Sequence, residues 1–162
     1  MLLKSRLIIF LLLIVSIILS ACSSTFDSTS PPLTESDKAR IKQLLVAESE
    51  GVVNKDIDLL ASLWAEDGWV VDAKHTPDEH ADDTRWEGID AILNRYITLV
   101  FPGNPSQAQH PDLSIQIDGD KATATSSTAI GNEYATQGDR WGFIRKDGQW
   151  LIQYLIYNLE PD

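Results

Sequence analysis

Apolar residues recur at helical spacing in three segments of the chain. The first follows a capping residue, either Thr34 or Ser36, and one of its faces carries Ile41, Leu44, Leu45, Glu48 and Val52. The second begins at the capping residue Asp56, and its apolar positions are Leu59, Leu60, Leu63 and Trp64. The third has an apolar face made of Ile89, Ile92, Leu93, Tyr96, Ile97 and Val100. These spacings predict three amphipathic helices.

Alternation with a period of two marks the strands. One strand is predicted to begin at Trp69, after the turn Asp67-Gly68. The alternating sets in the last third of the chain are Leu113, Ile115 and Ile117; Ala122, Ala124, Ser126 and Thr128; Trp141 and Phe143; and Trp150, Ile152, Tyr154, Ile156 and Asn158. Three helices followed by an antiparallel meander predict an α+β architecture.

The strand containing Ala122, Ala124 and Ser126 has small residues where the sheet is expected to be central. Bulky residues are expected opposite them, namely Trp64, Trp69, Trp150 and Tyr154. Small residues facing large ones are most often ordinary close packing. The alternative is a cavity lined by aromatic rings, with tyrosine hydroxyls that can hydrogen-bond a ligand.

Three pieces of the sequence carry a family resemblance. They are Asp56…Leu60…Leu63-Trp64…Asp67, Trp86-Glu87-Gly88-Ile89-Asp90-Ala91-Ile92, and Gly148-Gln149-Trp150-Leu151-Ile152. In these pieces the chain resembles the SnoaL-like branch of the nuclear transport factor 2-like superfamily, across residues 36–158. The resemblance implies a cone in which a curved antiparallel sheet wraps around three N-terminal helices, with a cavity at the open end of the cone. It does not imply one reaction, because the superfamily contains isomerases, cyclases, dehydratases and many binding proteins.

The first 21 residues differ from the rest of the chain. Lys4 and Arg6 precede an apolar run over residues 7–19, which is shorter than the roughly 20 residues that cross a bilayer. This order is typical of a secretory signal peptide. The sequence Leu19-Ser20-Ala21-Cys22 resembles a bacterial lipobox, so we expect cleavage before Cys22 and lipidation of that cysteine. The alternative is an uncleaved N-terminal anchor.

The lipobox predicts an extracytoplasmic protein, lipid-anchored to the cell membrane through Cys22. Ser23 after the cysteine resembles the sorting signal for an outer membrane, where the cell has one. Residues 1–21 are therefore predicted to be the signal peptide, and residues 22–33 a flexible tether rich in Ser, Thr and Pro. Residues 34–162 are predicted to be the SnoaL-like domain.

The formal net charge is −11, and loss of Lys4 and Arg6 with the signal peptide would make it −13. Nucleic acid is bound mainly by Lys and Arg, so this excess of carboxylates argues against a nucleic-acid partner. It also argues against electrostatic adhesion to anionic lipid. The acyl chains on Cys22 are thus the predicted link to the bilayer.

Enzymes of the resembled superfamily place an acid–base Asp or His deep in the cone, with Tyr or Asp donors nearby. Here Asp72, which should share a strand face with Val70, is the predicted base, and Tyr154 is the predicted oxyanion donor. His110 precedes a proline and is more typical of a loop residue than of a base. Glu48 is either a boundary carboxylate that reaches water, the commoner case, or a buried functional group.

The polar stretch after the first predicted strand suggests no metal site. It contains Asp72, His75, Asp78 and His80. Their spacing fits no metal motif and lies on no helix that would align the ligands, so we expect a surface loop without metal. The sequence also contains no glycine-rich phosphate loop, and we expect no cofactor.

Three functions stay open at this stage. The predicted ligand-pocket residues are Trp64, Trp69, Trp86, Tyr96, Ala124, Trp150 and Asn158. A membrane-anchored module that binds a small apolar or amphipathic ligand, or docks as an accessory, is favoured because no complete acid–base set is visible. The alternatives are a cofactor-free isomerase, cyclase or dehydratase using Asp72 and Tyr154, and a structural module that forms a homodimer through the outer face of the sheet.

Overall fold

The computed structural model describes residues 33–130 and 133–159. Its elements in chain order are α1 (Leu33–Asn54), α2 (Ile57–Leu63), β1 (Trp64–Asp72), β2 (Thr84–Glu87), α3 (Ile89–Arg95), a π-helical turn (Tyr96–Val100), a 3₁₀ turn (Phe101–Gly103), β3 (Ala108–Gln109), β4 (Ser114–Asp118), β5 (Lys121–Ile130), β6 (Glu133–Lys146) and β7 (Gln149–Tyr157). The predicted signal peptide and Cys22 lie outside the described residues. Within the described ranges, no helix is long and apolar enough to cross a membrane.

Helix α2 begins where the sequence predicted it. The Asp56 side chain accepts a hydrogen bond from the backbone N–H of Leu59 at 3.0 Å, which confirms Asp56 as the N-cap. The end of α2 was predicted wrongly, because Trp64 has extended backbone angles (φ −95°, ψ 147°) and already belongs to β1. The Trp64 indole is 3% exposed and donates its N–H to the Tyr96 hydroxyl, so a distant contact outweighs the local helical spacing.

The third helix changes its winding at Tyr96. An α-helical segment ends at Arg95, and one π-helical turn follows before the 3₁₀ turn. The wider π turn rotates the following residues away from the predicted apolar face. Tyr96 is therefore buried as predicted, whereas Ile97 is 52% exposed and its predicted burial is wrong. Turns of this kind occur often at functional sites.

The strands form one sheet in the order β2-β1-β7-β6-β5-β3, and β4 also pairs with β5. Strands β1 and β7 are parallel, and the other described pairs are antiparallel. The α+β class is thus confirmed, while the purely antiparallel sheet is corrected to a mixed one. The parallel pair arises because the last strand returns beside the first through a long intervening connection.

The pairing register separates an inner face from an outer face. One inner row, packed into the core with the helices, consists of Val70, Leu155, Trp141, Ala124 and Ile115. The neighbouring outer row consists of Trp69, Tyr154, Gly142, Thr123 and Gln116. In the inner rows Ala124 lies beside Trp141, and Ala122 lies beside Phe143, so the structure favours the packing interpretation of these small residues.

A bulge in β7 explains why Tyr154 is on the outer face. Phe143 pairs with Ile152, but the preceding residue Gly142 pairs with Tyr154, which leaves Gln153 as an extra residue. One extra residue exchanges the two faces of all later positions in a strand. Ile152 is therefore in the core, while Tyr154, predicted to share its face, is turned outward.

Candidate functional site

A chain of buried hydrogen bonds joins four parts of the fold. The Trp64 indole N–H donates to the Tyr96 hydroxyl at 3.2 Å, and that hydroxyl donates to Oε1 of Glu48 at 2.7 Å. Nε2 of His110 lies 3.3 Å from Oε2 of the same carboxylate. The side chains of Glu48 and His110 are each 7% exposed. Segments far apart in the sequence thus bring four polar groups into one buried cluster.

The Glu48 carboxylate decides the protonation pattern of this cluster. An ionised carboxylate only accepts hydrogen bonds, so both Tyr96 and His110 must donate to it. Burial, followed by the negative charge of Glu48, raises the pKa of Tyr96 well above its ordinary value, which keeps this hydroxyl protonated. In the tautomer that donates from Nε2, an imidazole without charge has its lone pair on Nδ1.

Nδ1 of His110 differs from the other polar atoms of the cluster. It is buried and has no hydrogen-bond partner among the residues that the structure describes. The Trp141 ring packs edge-on against the imidazole, with 4.9 Å between centroids, and its N–H donates to Oγ of Ser126 at 3.2 Å. A carboxylate thus orients one imidazole nitrogen and an indole fixes the ring, which leaves the other nitrogen able to accept a proton.

Asp139 is a second buried acid close enough to be influenced by this cluster. It lies on β6 and is 3% exposed. Burial raises the pKa of Asp139 from 3.8 to about 7, although the nearby charge of His110 opposes that increase. A carboxyl group with a pKa near neutrality can both donate and accept a proton at physiological pH.

His110 also lines a groove between α1 and residues 107–113. The groove has a volume of about 620 Å³, within the range typical of small-molecule sites. Its apolar lining residues are Leu45, Val46, Val53, Ala108 and Leu113. Polar residues at the same groove include Lys42, Ser49, Glu50, Asn54, Gln107 and Gln109. The arrangement suits an amphipathic molecule bound beside the His110 side chain.

The predicted pair of Asp72 and Tyr154 does not form a site. Asp72 lies on the inner side of β1, whereas Tyr154 lies on the outer side of the sheet and stacks on Trp69 at 4.7 Å. Burial alone would raise the pKa of Asp72, but hydrogen bonds from Lys74 (2.7 Å) and Asn158 (2.8 Å) outweigh burial and lower it. An ionised, hydrogen-bonded Asp72 is a weak base, and Asn158 serves to hold it.

Three of the predicted pocket residues do lie together on the inner side. Trp64 is bonded to Tyr96, and Trp86 lies beside Arg95, whose guanidinium carbon is 5.2 Å from the Trp86 ring centroid. Trp69, in contrast, is on the outer face, so its assignment to an internal pocket is corrected.

Two further predicted pocket residues belong to the packed core. Ala124 is 2% exposed and lies directly beside Trp141. The Trp150 indole donates to Oδ1 of Asp37 at 3.1 Å, near the beginning of α1. At 1.5 Å of rise per residue, Asp37 is about 16 Å along α1 from Glu48, so Trp150 stabilises a different part of the molecule.

The residues that carry the site were misjudged or missed in the sequence. The Glu48 carboxylate does not reach water, and His110 is in a loop as predicted but has a buried side chain. A charged residue on an apolar helix face was the signal for Glu48. Asp139 and Arg95 had no comparable local signal. Among the described residues, no group of three or more His, Cys, Asp or Glu could hold a metal ion.

Comparisons with known proteins agree with this architecture. Residues 34–156 match the SnoaL-like domain. A variant of Rv3472, a protein of unknown function from Mycobacterium tuberculosis, is 21% identical, with 80% of this chain and 76% of that chain covered and a TM-score of 0.63. A proposed dehydratase of the nuclear transport factor 2-like family from Streptomyces avermitilis is 19% identical, with coverage of 76% and 95% and a TM-score of 0.55.

A nuclear transport factor 2-like protein of unknown function from Pseudomonas putida is likewise 19% identical, with coverage of 76% and 86% and a TM-score of 0.58. No curated protein matches this chain. At these identities the solved structures show a shared fold alone. The family match covers most of the chain, and the chain therefore belongs to the SnoaL-like domain family, with the cone-shaped fold of nuclear transport factor 2-like proteins.

Proposed function

We propose that this domain is a cofactor-free acid–base enzyme, of the isomerase, cyclase or dehydratase kind, in which His110 is the base. One observation carries the proposal: Glu48 and His110 form a buried pair at 3.3 Å, and Nδ1 of His110 has no described hydrogen-bond partner. Burial of ionisable groups costs free energy, and a simple binding pocket has no need of such a pair. This favours the enzyme over the binding module that the sequence alone favoured.

The groove would hold a small amphipathic substrate with an acidic C–H bond against His110. Nδ1 takes the proton, and the carbon keeps the electron pair as an enolate-like anion. Glu48 stabilises the imidazolium that forms, because its carboxylate already accepts a hydrogen bond from Nε2–H. The hydrogen bond from Tyr96 prevents Glu48 from turning toward solvent.

Asp139 would supply the second proton transfer. Its raised pKa leaves a substantial protonated fraction at neutral pH, so it can donate to a leaving hydroxyl or to an oxyanion. In a dehydration, water leaves with the proton from Asp139, and transfer of the proton from His110 to Asp139 restores both groups. In an isomerisation, His110 returns its proton to a different substrate carbon. The proposed dehydratase from Streptomyces avermitilis, which shares the fold, is consistent with the dehydration.

Exchange of substrate hydrogen with solvent deuterium tests the proposed base. A panel of small cyclic ketones and β-hydroxy ketones is incubated in D₂O with the protein, and loss of the acidic C–H signal is followed by NMR. We expect His110→Gln to slow exchange by about 100-fold or more, since general-base catalysis contributes 10²–10⁴. Glu48→Gln should slow it less, because the imidazole remains but loses its orienting charge. The exposed His80 provides the matched control His80→Gln, which should exchange as the wild type does.

Exchange that continues in folded His110→Gln would remove His110 as the base. Binding of panel members to the wild type with no exchange of any of them would return the domain to the binding-module hypothesis. Saturation-transfer NMR on the same samples measures that binding.

We further propose that the domain is exported and anchored by acylated Cys22. Support comes from the order of charge, apolar run and lipobox-like residues in the sequence. Substitution of Cys22 by Ser should release the protein from the membrane fraction, and an N-terminal peptide mass without acyl chains would contradict the anchor.

A homodimer through the outer face of the sheet, where Trp69 and Tyr154 stack, stays a prediction that analytical ultracentrifugation can test.

A further inference from the structure

Arg95 is a buried cation that forms no direct ion pair with a carboxylate among the described residues, although it hydrogen-bonds Tyr157 and its charge acts on the more distant Asp139. It ends α3 and is 8% exposed. Its guanidinium carbon lies 4.6 Å from the ring centroid of Tyr157, 5.2 Å from that of Trp86 and 5.9 Å from that of Tyr96. Its Nε is buried and has no hydrogen-bond partner within residues 33–130 and 133–159. No carboxylate in those ranges forms an ion pair with it.

The aromatic rings offset only part of the cost of this burial. Removal of a charge from water is unfavourable unless an opposite charge and hydrogen bonds replace the lost hydration. Ring faces supply neither, and Tyr157 adds a hydrogen bond but no opposite charge. Trp86 and Tyr157 are themselves only half-buried, so parts of both side chains are open to solvent. An incoming anion would complete the pairing that the protein leaves open.

Arg95 is also connected to the proposed base. Tyr96 follows it directly in sequence, packs against its guanidinium and donates a hydrogen bond to Glu48, the partner of His110. A molecule bound at Arg95 thus lies beside the residues that orient His110.

We propose that Arg95 binds the carboxylate of a small aromatic or alicyclic acid, whose apolar body packs against Trp86 and Tyr157. The planar guanidinium matches a carboxylate through two parallel hydrogen bonds. Arg95, Trp86 and Tyr157 do not line the groove between α1 and residues 107–113, so the inference goes beyond the proposed function and does not depend on it.

A carboxylate fits this surrounding better than a phosphate does. Arg95 is a single cation; its neighbour Tyr96 is bonded to the Glu48 carboxylate, and its neighbour Tyr157 pairs in register with Asp72. A phosphate dianion would meet net repulsion from these carboxylates, whereas one carboxylate is matched by one guanidinium.

Matched acids and amides test the carboxylate site. Cyclohexanecarboxylate, phenylacetate and 4-hydroxyphenylacetate are titrated against the protein by NMR, beside their primary amides. The wild type should bind at least one acid about tenfold or more tightly than its amide, as expected for a charged hydrogen-bonded pair. Arg95→Gln should abolish that preference. Arg95→Lys should keep part of it, because an ammonium group keeps the charge but cannot form the two parallel hydrogen bonds of a guanidinium. Arg140→Gln on the outer face is the control and should behave like the wild type.

Several outcomes would overturn the site: no acid binds, acids and amides bind equally, the preference survives in Arg95→Gln, or inorganic phosphate displaces the acid at equal concentration. Where circular dichroism shows Arg95→Gln unfolded, Arg95→Lys decides, and a preference as large as that of the wild type overturns the proposal.

The two proposals fail separately. Acid binding that depends on Arg95 without any deuterium exchange leaves the carboxylate site and removes the enzyme. Exchange that depends on His110, with equal binding of acids and amides, leaves the enzyme and removes the carboxylate site.

Discussion

Substitution of Asp139 by Asn should stabilise the protein at neutral and alkaline pH. Burial raises the pKa of Asp139 to about 7 in the folded protein, against 3.8 as the ordinary value. Between these two pH values the folded state binds more protons than the unfolded state, so the free energy of unfolding falls as pH rises. At about 1.4 kcal/mol per pH unit across the window, the loss amounts to about 4 kcal/mol between pH 4 and pH 8.

Asn resembles the protonated carboxyl group in shape and carries no charge at any pH. The wild type and Asp139→Asn should therefore have similar stability at pH 4, and the variant should be more stable by up to about 4 kcal/mol at pH 8. Urea unfolding from pH 4 to 8.5 measures the difference, with Asp118→Asn on exposed β4 as the charge-matched control. If the curves of wild type and Asp139→Asn run parallel across this range, Asp139 is not a buried acid with a raised pKa.

Two further predictions concern the framework of the fold. A Cβ at Gly142 would overlap the Tyr154 ring, so Gly142→Ala should lower the free energy of unfolding by about 1–3 kcal/mol, measured by thermal unfolding. This loss should largely disappear in a Tyr154→Ala background, and equal losses in both backgrounds would contradict the steric explanation. Asp56→Ala removes the hydrogen bond to the Leu59 N–H and should cost about 0.5–2 kcal/mol, whereas Asp56→Asn should retain most of the stability; identical losses would argue against capping.

The sequence predicted the helices and the fold class because the relevant signals are local. Apolar spacing and the cap at Asp56 act within a few residues of each other. Trp64 was misplaced for the opposite reason, since its conformation depends on Tyr96, a residue 32 positions away. The parallel pairing of β1 and β7 depends on residues even further apart.

The candidate site was harder to predict because it depends on irregular backbone. Alternation along β7 placed Tyr154 with Ile152, and the single extra residue at Gln153 reversed that assignment. No periodicity rule locates such a bulge in advance. His110 is a loop residue in the sequence, and only the tertiary contact with Glu48 gives it a possible chemical role.

The departures from regular structure and the buried ionisable groups occur together, which supports a functional interpretation of both. The change from α to π winding falls where Arg95 and Tyr96 become buried side by side. Apolar side chains at these inner positions would be cheaper to bury than Glu48, Arg95, His110 and Asp139. Asp139 alone is expected to cost several kcal/mol at neutral pH, a large fraction of the 5–15 kcal/mol by which domains are stable. A fold that retains such groups at that cost gains something other than stability from them, and proton transfer by His110 and Asp139 beside an anion-binding Arg95 would account for all four.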